Sequence, residues 1–185
     1  MKRKNVISRV TPVTATPEAL IAMAHHKEAG NRMTNMKEIL CHNAVCFTAL
    51  EDGSYDVGRE LVKKIGRRAL MIFSYALSSR NECVICGHYF KKIINDMGYE
   101  WETFEFTEEE TDLLLFAQAL AEDPNHVPDD VYEALQARYD EETMVILVTH
   151  AVFTLANNYF NNIVGTEIDD YLLPYVDGDV NKNFK

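Results

Sequence analysis

Cys83 and Cys86 stand three positions apart in the run Asn81-Glu82-Cys83-Val84-Ile85-Cys86-Gly87-His88-Tyr89-Phe90, which holds two of the chain's four cysteines and a histidine just beyond them. If Asn81 caps a helix, both cysteines fall in its first turn and a half, and spacing of three puts them on one face within reach of each other. Free amides and the positive end of the helix dipole favour a thiolate over a thiol there, lowering the pKa from about 8.5. A thiolate in that position attacks peroxides or disulfides at neutral pH, and a second cysteine one turn away resolves the sulfenic acid or mixed disulfide that results. Two further readings stay open for the pair. Free cysteine is among the most buried residue types, so both can be core residues. They can also supply two of the four ligands of a zinc site, although the chain has no second CxxC and no HxxxH to complete it.

The neighbours of the pair are weaker candidates. His88 lies about 140° round an ideal helix from Cys83 and about 200° from Cys86, so it serves as their base only if the helix start is distorted, and otherwise is an exposed or subunit-contact residue. Glu82 raises a thiol pKa if it comes close, or acts as first-turn charge complementing the helix dipole. Cys41, His42 and Cys46 form the other compact cluster. Spacing of five turns Cys41 and Cys46 about 140° apart on a helix, which suits core or interface positions better than a two-ligand claw.

Helices must position these side chains. Thr16-Pro17-Glu18 is a helix start and Gly30 its stop. Met36, Ile39, Leu40, Cys46, Phe47 and Leu50 recur at near-helical spacing between Thr34 and Gly53, predicting a second helix. Leu61 to Ala76 predicts a long third helix ending near Ser79, and Asn81 the cap of a fourth running to Gly98. Thr107-Glu108-Glu109-Glu110 has capping-box spacing ahead of the apolar run Leu113 to Leu120, closed by Pro124. A short helix from Pro128 to about Arg138 and a longer one from Asp140 to Gly165 complete the set. No alternating strand pattern or Asn-Gly hairpin is present, so the fold class is all-α with about seven helices, in one domain spanning 1–185. Residues 1–15 form an N-terminal extension, Tyr99 to Phe106 an irregular segment, and 166–185 a C-terminal tail whose Asp169 to Pro174 stretch has the apolar weight to pack on the body or on a neighbouring subunit.

With 185 residues, 47% of them hydrophobic, the chain can bury one substantial core. Eighteen basic against 29 acidic side chains give a net charge of −11, which disfavours nucleic acid and anionic membranes as partners. No export signal follows the Met1-Lys2-Arg3-Lys4 start, so the expected compartment is the cytoplasm. Thr143 to Thr166 is free of Asp, Glu, Lys and Arg. It also contains His150 and the asparagines Asn157, Asn158, Asn161 and Asn162, and its apolar part, Met144 to Ala156, falls short of the ~20 residues a bilayer requires. A buried helix fits it better. That run and Ala69 to Ala76 are apolar enough to be covered on nearly all sides, as where helices bury against other subunits.

The segments SSRNECVICGHYFKKIINDMG, FTEEETDLLLFAQAL and VPDDVYEALQARYDEETMVILVTHAVFTLANNYFNNIVGTEID together resemble the alkyl hydroperoxidase D (AhpD) and carboxymuconolactone decarboxylase superfamily, over roughly residues 6 to 170. The opening ISRVTP is similar to the start of its longer members. The resemblance implies an all-helical fold assembling into trimers or hexamers, with a redox pair near a cleft between subunits, and it implies alkylhydroperoxidase, peroxiredoxin-type antioxidant chemistry. Peroxidase members carry E-x11-C-x2-C-x3-H, in which the cysteines reduce the peroxide and the Glu and His relay protons. Cys83 and Cys86 match its cysteines, while the glutamate position falls on Met71 and the histidine position on Phe90. General acid-base assistance is typically worth about 10² to 10⁴ in rate, so loss of both relay residues implies a slow or altered activity.

The leading expectation is therefore a cytoplasmic homo-oligomer, trimer or hexamer with a dimer as alternative, that cycles exposed Cys83 and Cys86 between dithiol and disulfide. It needs no cofactor beyond that disulfide. Its partners are a thiol reductant and a small peroxide. The first alternative is a non-catalytic relative holding a small hydrophobic molecule in an apolar cleft by Met71 and Phe90. The second is an oligomer with zinc at the pair.

Overall fold

Side-chain oxygens meet free amides at most of the expected helix starts. Thr16 accepts the Ala19 N–H at the start of α1 (Pro17–Glu28), and Thr34 accepts that of Lys37 at the start of α2 (Asn35–Leu40). Thr107 and Glu110 form a reciprocal capping box on α5 (Glu108–Glu122). Asp140 caps α7 (Glu141–Val164) through the Thr143 N–H, and α6 (Asp129–Arg138) follows Pro128 directly. In this computed structural model, which describes residues 6–99 and 103–176, the remaining elements are α3 (Ala44–Arg80), α4 (Val84–Asp96) and a 3-10 helix over Asp170–Tyr175. Among the described residues there is no strand, and the fold is the all-α, AhpD-like one.

The middle of the chain departs from the expected boundaries. The helix expected from Thr34 to Gly53 breaks after Leu40, because Asn43 turns its side chain onto the Cys46 N–H and starts α3. Helix α3 then runs straight through Gly53. A Cβ there would come 2.7 Å from the Phe153 ring of α7, so the glycine marks a close helix crossing and not a stop. The interruption falls instead at Gly66, whose φ of 81° and ψ of 162° kink α3 into two arms.

The second arm is the centre of the molecule. From Ala69 to Ser79 only Met71 escapes full burial, because α4, α5 and α7 surround this arm. Ile72, Phe73, Leu77, Leu113, Phe116 and Leu147 fill the main core, while Val10, Met23, Met36, Leu40 and Phe47 make a second cluster beneath α1 and α2. Burying side chains of this size contributes about 1.5–3 kcal/mol each. The 3-10 helix closes over α4 with Leu172 buried. Of the expected extension and tail, residues 1–5 and 177–185 lie outside the described residues.

Helix α7 is long and apolar enough, by length and composition alone, to cross a membrane. Here it lies along α3 with His150, Thr154, Asn158 and Asn161 on its packed face, and Val145, Val152, Tyr159 and Ile163 on its exposed one.

Candidate functional site

Helix α3 ends in a Schellman turn. The Cys83 N–H reaches back to the Ser78 carbonyl at 2.9 Å and the Glu82 N–H to the Ser79 carbonyl at 3.2 Å, with Glu82 in the left-handed region at φ 53°. Asn81, expected to open α4, is instead the C-cap of α3. The N-cap of α4 is Cys83 itself, whose Sγ accepts the Cys86 N–H at 3.4 Å. Three residues thus separate the two helices, and Cys83 is tied to α3 through its backbone and to α4 through its sulfur. That double attachment fixes the sulfur at the amino end of α4, where the first-turn amides lack backbone partners.

Cys83 and Cys86 are joined as a disulfide, with their Cα atoms 5.4 Å apart. The sequence expectation of exposed sulfurs does not hold for the single chain: Cys83 is 1% and Cys86 9% exposed. The second arm of α3 is buried to its last turn, so a helix springing from its end starts inside the protein. Glu82 and Val84, on either side of Cys83, are exposed.

Helix α7 supplies what the sequence reading missed. Asn161 Nδ2 lies 3.4 Å from Cys86 Sγ and 3.2 Å from Met36 Sδ, and the residue is 4% exposed. Asn162 donates to the Asn81 carbonyl at 3.1 Å, and Asn158 accepts from Ser78 at 3.2 Å. Three of the four asparagines therefore hold the α3–α4 junction. Their sequence signal was amide side chains at positions i, i+3 and i+4 in the uncharged part of the helix, which puts them on one side of it, Asn158 and Asn161 buried and Asn162 at the exposed edge.

His88 is neither exposed nor beside the sulfurs. It is 2% exposed, and its Nδ1 donates to the Val84 carbonyl at 2.5 Å, which leaves Nε2 as an acceptor with no protein partner. Glu82 is exposed at the turn and serves its backbone geometry. Met71 and Phe90, at the relay positions, are partly buried against the main core, so those places are filled by packing. Two surface hollows lie by Arg68, Tyr99 and Phe104 and by Lys64, Arg138 and Tyr139; neither is lined by Met71, Phe90 or a cysteine.

One turn past Cys86, Tyr89 enters a buried charged network through a hydrogen bond with Tyr55. Lys37 Nζ lies 2.9 Å from the Tyr55 hydroxyl, 3.0 Å from His26 Nε2, 3.0 Å from the Arg32 carbonyl and 3.2 Å from Glu51 Oε2. A lysine ammonium only donates, so His26 Nε2 accepts and the ring is neutral. Burial, with the Lys37 charge second, holds the His26 pKa down at about 4. Burial likewise pushes the Glu51 carboxyl up while Lys37 pulls it back, and pushes both phenols up to about 12.

Cys41 and Cys46 separate onto different elements. Cys41 is buried at the end of α2, where burial pushes its thiol up to about 11, and Cys46 is exposed on α3. Among the described residues no group of three or more His, Cys, Asp and Glu side chains gathers as a metal site.

No family model and no curated protein sequence matches the chain. Solved structures do. A cysteine-to-alanine variant of the debrominase Bmp8 in complex with 2,3,4-tribromopyrrole superimposes with a TM-score of 0.77 at 16% identity, covering 96% of this chain and 98% of that one. The same debrominase without ligand gives 0.75 at 16% identity over the same shares. At such identity the likeness is one of fold. It shows an all-helical fold shared over nearly the whole of both chains.

Proposed function

We propose that this protein is a thiol oxidoreductase that passes two electrons from the Cys83–Cys86 dithiol to a small acceptor and is returned to the dithiol by an external thiol. The observation carrying this reading is the pair's placement: bonded to each other at the start of α4, with Cys83 as N-cap and an amide donor on each sulfur. A core pair of cysteines has no need of donors. In the peroxide reaction, ROOH and the dithiol give ROH, water and the disulfide, which balances without a further reductant.

A second acceptor is favoured by the fold-wide likeness to a debrominase with a brominated pyrrole bound. Replacing C–Br by C–H consumes two electrons and one proton. One dithiol supplies both, leaving bromide, a proton and the disulfide. Met71 and Phe90 at the relay positions fit this reading, because neither side chain can relay the protons that a hydroperoxide reaction needs. The test is to add one equivalent of alkyl hydroperoxide, or of 2,3,4-tribromopyrrole, to the reduced protein and follow the Cys83–Cys86 link by mass spectrometry and bromide by ion chromatography. The acceptor that forms the link stoichiometrically is the substrate class. Free thiols after both treatments sink the proposal, and Cys83→Ser abolishes the reaction with either.

The working form in this reading is a homo-oligomer in which the exposed Val145, Val152, Tyr159 and Ile163 stripe of α7 faces another copy. Val152→Glu with Ile163→Glu then leaves helix content unchanged and lowers the mass measured by light scattering to that of one 21.2 kDa chain. A wild-type particle already of that mass removes self-association from the proposal.

A further inference from the structure

Asn161 is an unusual way to spend a buried amide. Both sulfurs it faces are acceptors only, since a thioether and a disulfide carry no proton, so its NH2 group and not its carbonyl must point at them. Its Oδ1 is buried with no protein partner. An asparagine kept for structure satisfies both ends. This one leaves its strong acceptor unpaired and places its two donors on weak ones.

The weak acceptor on one side becomes a strong one when the disulfide opens. Helix geometry already provides Cys83 with the Cys86 N–H, whereas within α4 no backbone amide serves Cys86 Sγ, and Asn161 is the only donor to that sulfur among the hydrogen bonds described. Met36 fixes the other amide hydrogen and so holds the side chain in place.

Resting on the oxidoreductase reading above, we propose that Asn161 is a catalytic residue: a neutral donor that receives the negative charge arriving on Cys86 Sγ when the Cys83–Cys86 bond breaks. The reductant's thiolate attacks Cys83 Sγ from the exposed Glu82–Val84 turn. A bond forms between its sulfur and Cys83, the Cys83–Cys86 bond breaks, and the electron pair goes to Cys86, whose anion takes the Asn161 N–H. A second thiolate then cleaves the mixed disulfide, releasing Cys83 and the oxidised reductant. The two protons lost by the reductant end on the cysteines through solvent, and the balance is two thiols oxidised for one disulfide reduced. Asn161 thereby selects the leaving group and directs the reductant to Cys83.

The experiment compares Asn161, Asn161→Ala and Asn161→Asp, the last nearly isosteric but without a donor. In a Cys83→Ser background, Cys86 ionisation is read from the pH dependence of iodoacetamide alkylation. In the full chain, the dithiol/disulfide equilibrium with dithiothreitol is read across pH. A hydrogen bond to a charged group is worth about 1.5–3 kcal/mol, so Cys86 acidity falls by about tenfold or more in the alanine form. It falls further in the aspartate form, where a carboxylate faces the thiolate. The disulfide becomes correspondingly harder to reduce, increasingly so as pH rises through the Cys86 pKa. A packing role predicts changed unfolding midpoints with the same Cys86 acidity in all three proteins, and that result overturns the proposal. Because Oδ1 has no partner to lose, both variants fold, which thermal unfolding verifies; if only one does, the comparison with wild type still decides. A wild-type pair that does not exchange with dithiothreitol at all defeats the oxidoreductase reading itself, whereas a pair that exchanges identically in all three forms defeats only the role of Asn161.

Discussion

Around Lys37, buried polar groups are held by an ion pair. One ammonium meets a carboxylate, a phenol, an imidazole and a carbonyl, and the groups come from α1, α2, α3 and the loop between α1 and α2. Around Cys86, one turn of α4 away from Tyr89, the donors are neutral: a backbone amide on Cys83 and the Asn161 amide on Cys86. Among the described residues the first region is closed on itself but for His26 Nδ1, while the second leaves Asn161 Oδ1 open. The difference separates two uses of buried polarity. A charge pair with no part in the chemistry can be matched fully and used to staple helices. A sulfur pair that ionises and then loses its charge is better served by dipoles, which stabilise the anion without penalising the neutral disulfide when it re-forms.

Lys37→Met tests that division with the largest effect expected. It leaves the Glu51 carboxylate buried without its counter-ion, which costs about 3–5 kcal/mol in chemical denaturation. Adding Glu51→Leu recovers part of the loss, because it removes the unpaired carboxylate while His26, Tyr55 and the Arg32 carbonyl still lack the ammonium. Through both changes the equilibrium of the Cys83–Cys86 disulfide with dithiothreitol stays put. A shift in that equilibrium as large as the one expected for Asn161→Ala would join the two regions into one functional unit and end the distinction.

Acid gives a smaller and graded effect. His26 and His150 both have folded pKa values lowered from 6.5 to about 4, His26 through burial and then Lys37, His150 through burial. His150 is neutral beside Ser74, with Nε2 and the hydroxyl 2.8 Å apart. Between those pH values the unfolded chain binds protons that the folded chain refuses, so stability is full above about pH 6.5 and falls as pH drops towards 4. For fully enclosed His150 the loss is on the order of 3 kcal/mol. His150→Gln removes part of that slope in urea midpoints measured from pH 7 to 4.5, and His26→Gln removes a comparable part. A slope unchanged by both substitutions would place the acid-sensitive group elsewhere.

Much of this arrangement was legible in the sequence where a local rule decides it. Caps at Thr16, Thr107 and Asp140 announce their helices because the bond they make is to an amide three residues on, and the cysteine spacing announces a pair that can touch. Tertiary decisions were not legible. Gly53 reads as a stop until the Phe153 ring is known to lie against it, and Asn81 reads as an N-cap because Asn suits either end of a helix and only the φ of Glu82 settles which. Asn161 was visible only as a polar interruption of an apolar helix. Its role depends on α7 crossing the start of α4, which no spacing in either segment encodes. The Lys37 network was missed for the same reason: its members come from positions 26, 32, 37, 51, 55 and 89 and share no motif.

Glu82 offers the smallest and most local test of how the sulfur site is held. It occupies the left-handed position of the Schellman turn, where a side chain with a Cβ costs about 1–2 kcal/mol and glycine is the usual occupant. Glu82→Gly relieves that strain and gives back about 0.4–1 kcal/mol through the greater freedom of the unfolded chain, for a net stabilisation of roughly 0.5 kcal/mol. The Cys83 N–H bond to Ser78 is unaffected, so the position of Cys83 at the head of α4 does not change. A gain in unfolding midpoint with disulfide exchange at its wild-type rate means the turn only delivers Cys83 to its place. If exchange accelerates as well, the Glu82 carboxylate has been repelling the incoming thiolate. The exposed turn then joins the neutral donors around the sulfurs as a third, charged influence, and the contrast with the Lys37 network holds only for the interior of the site.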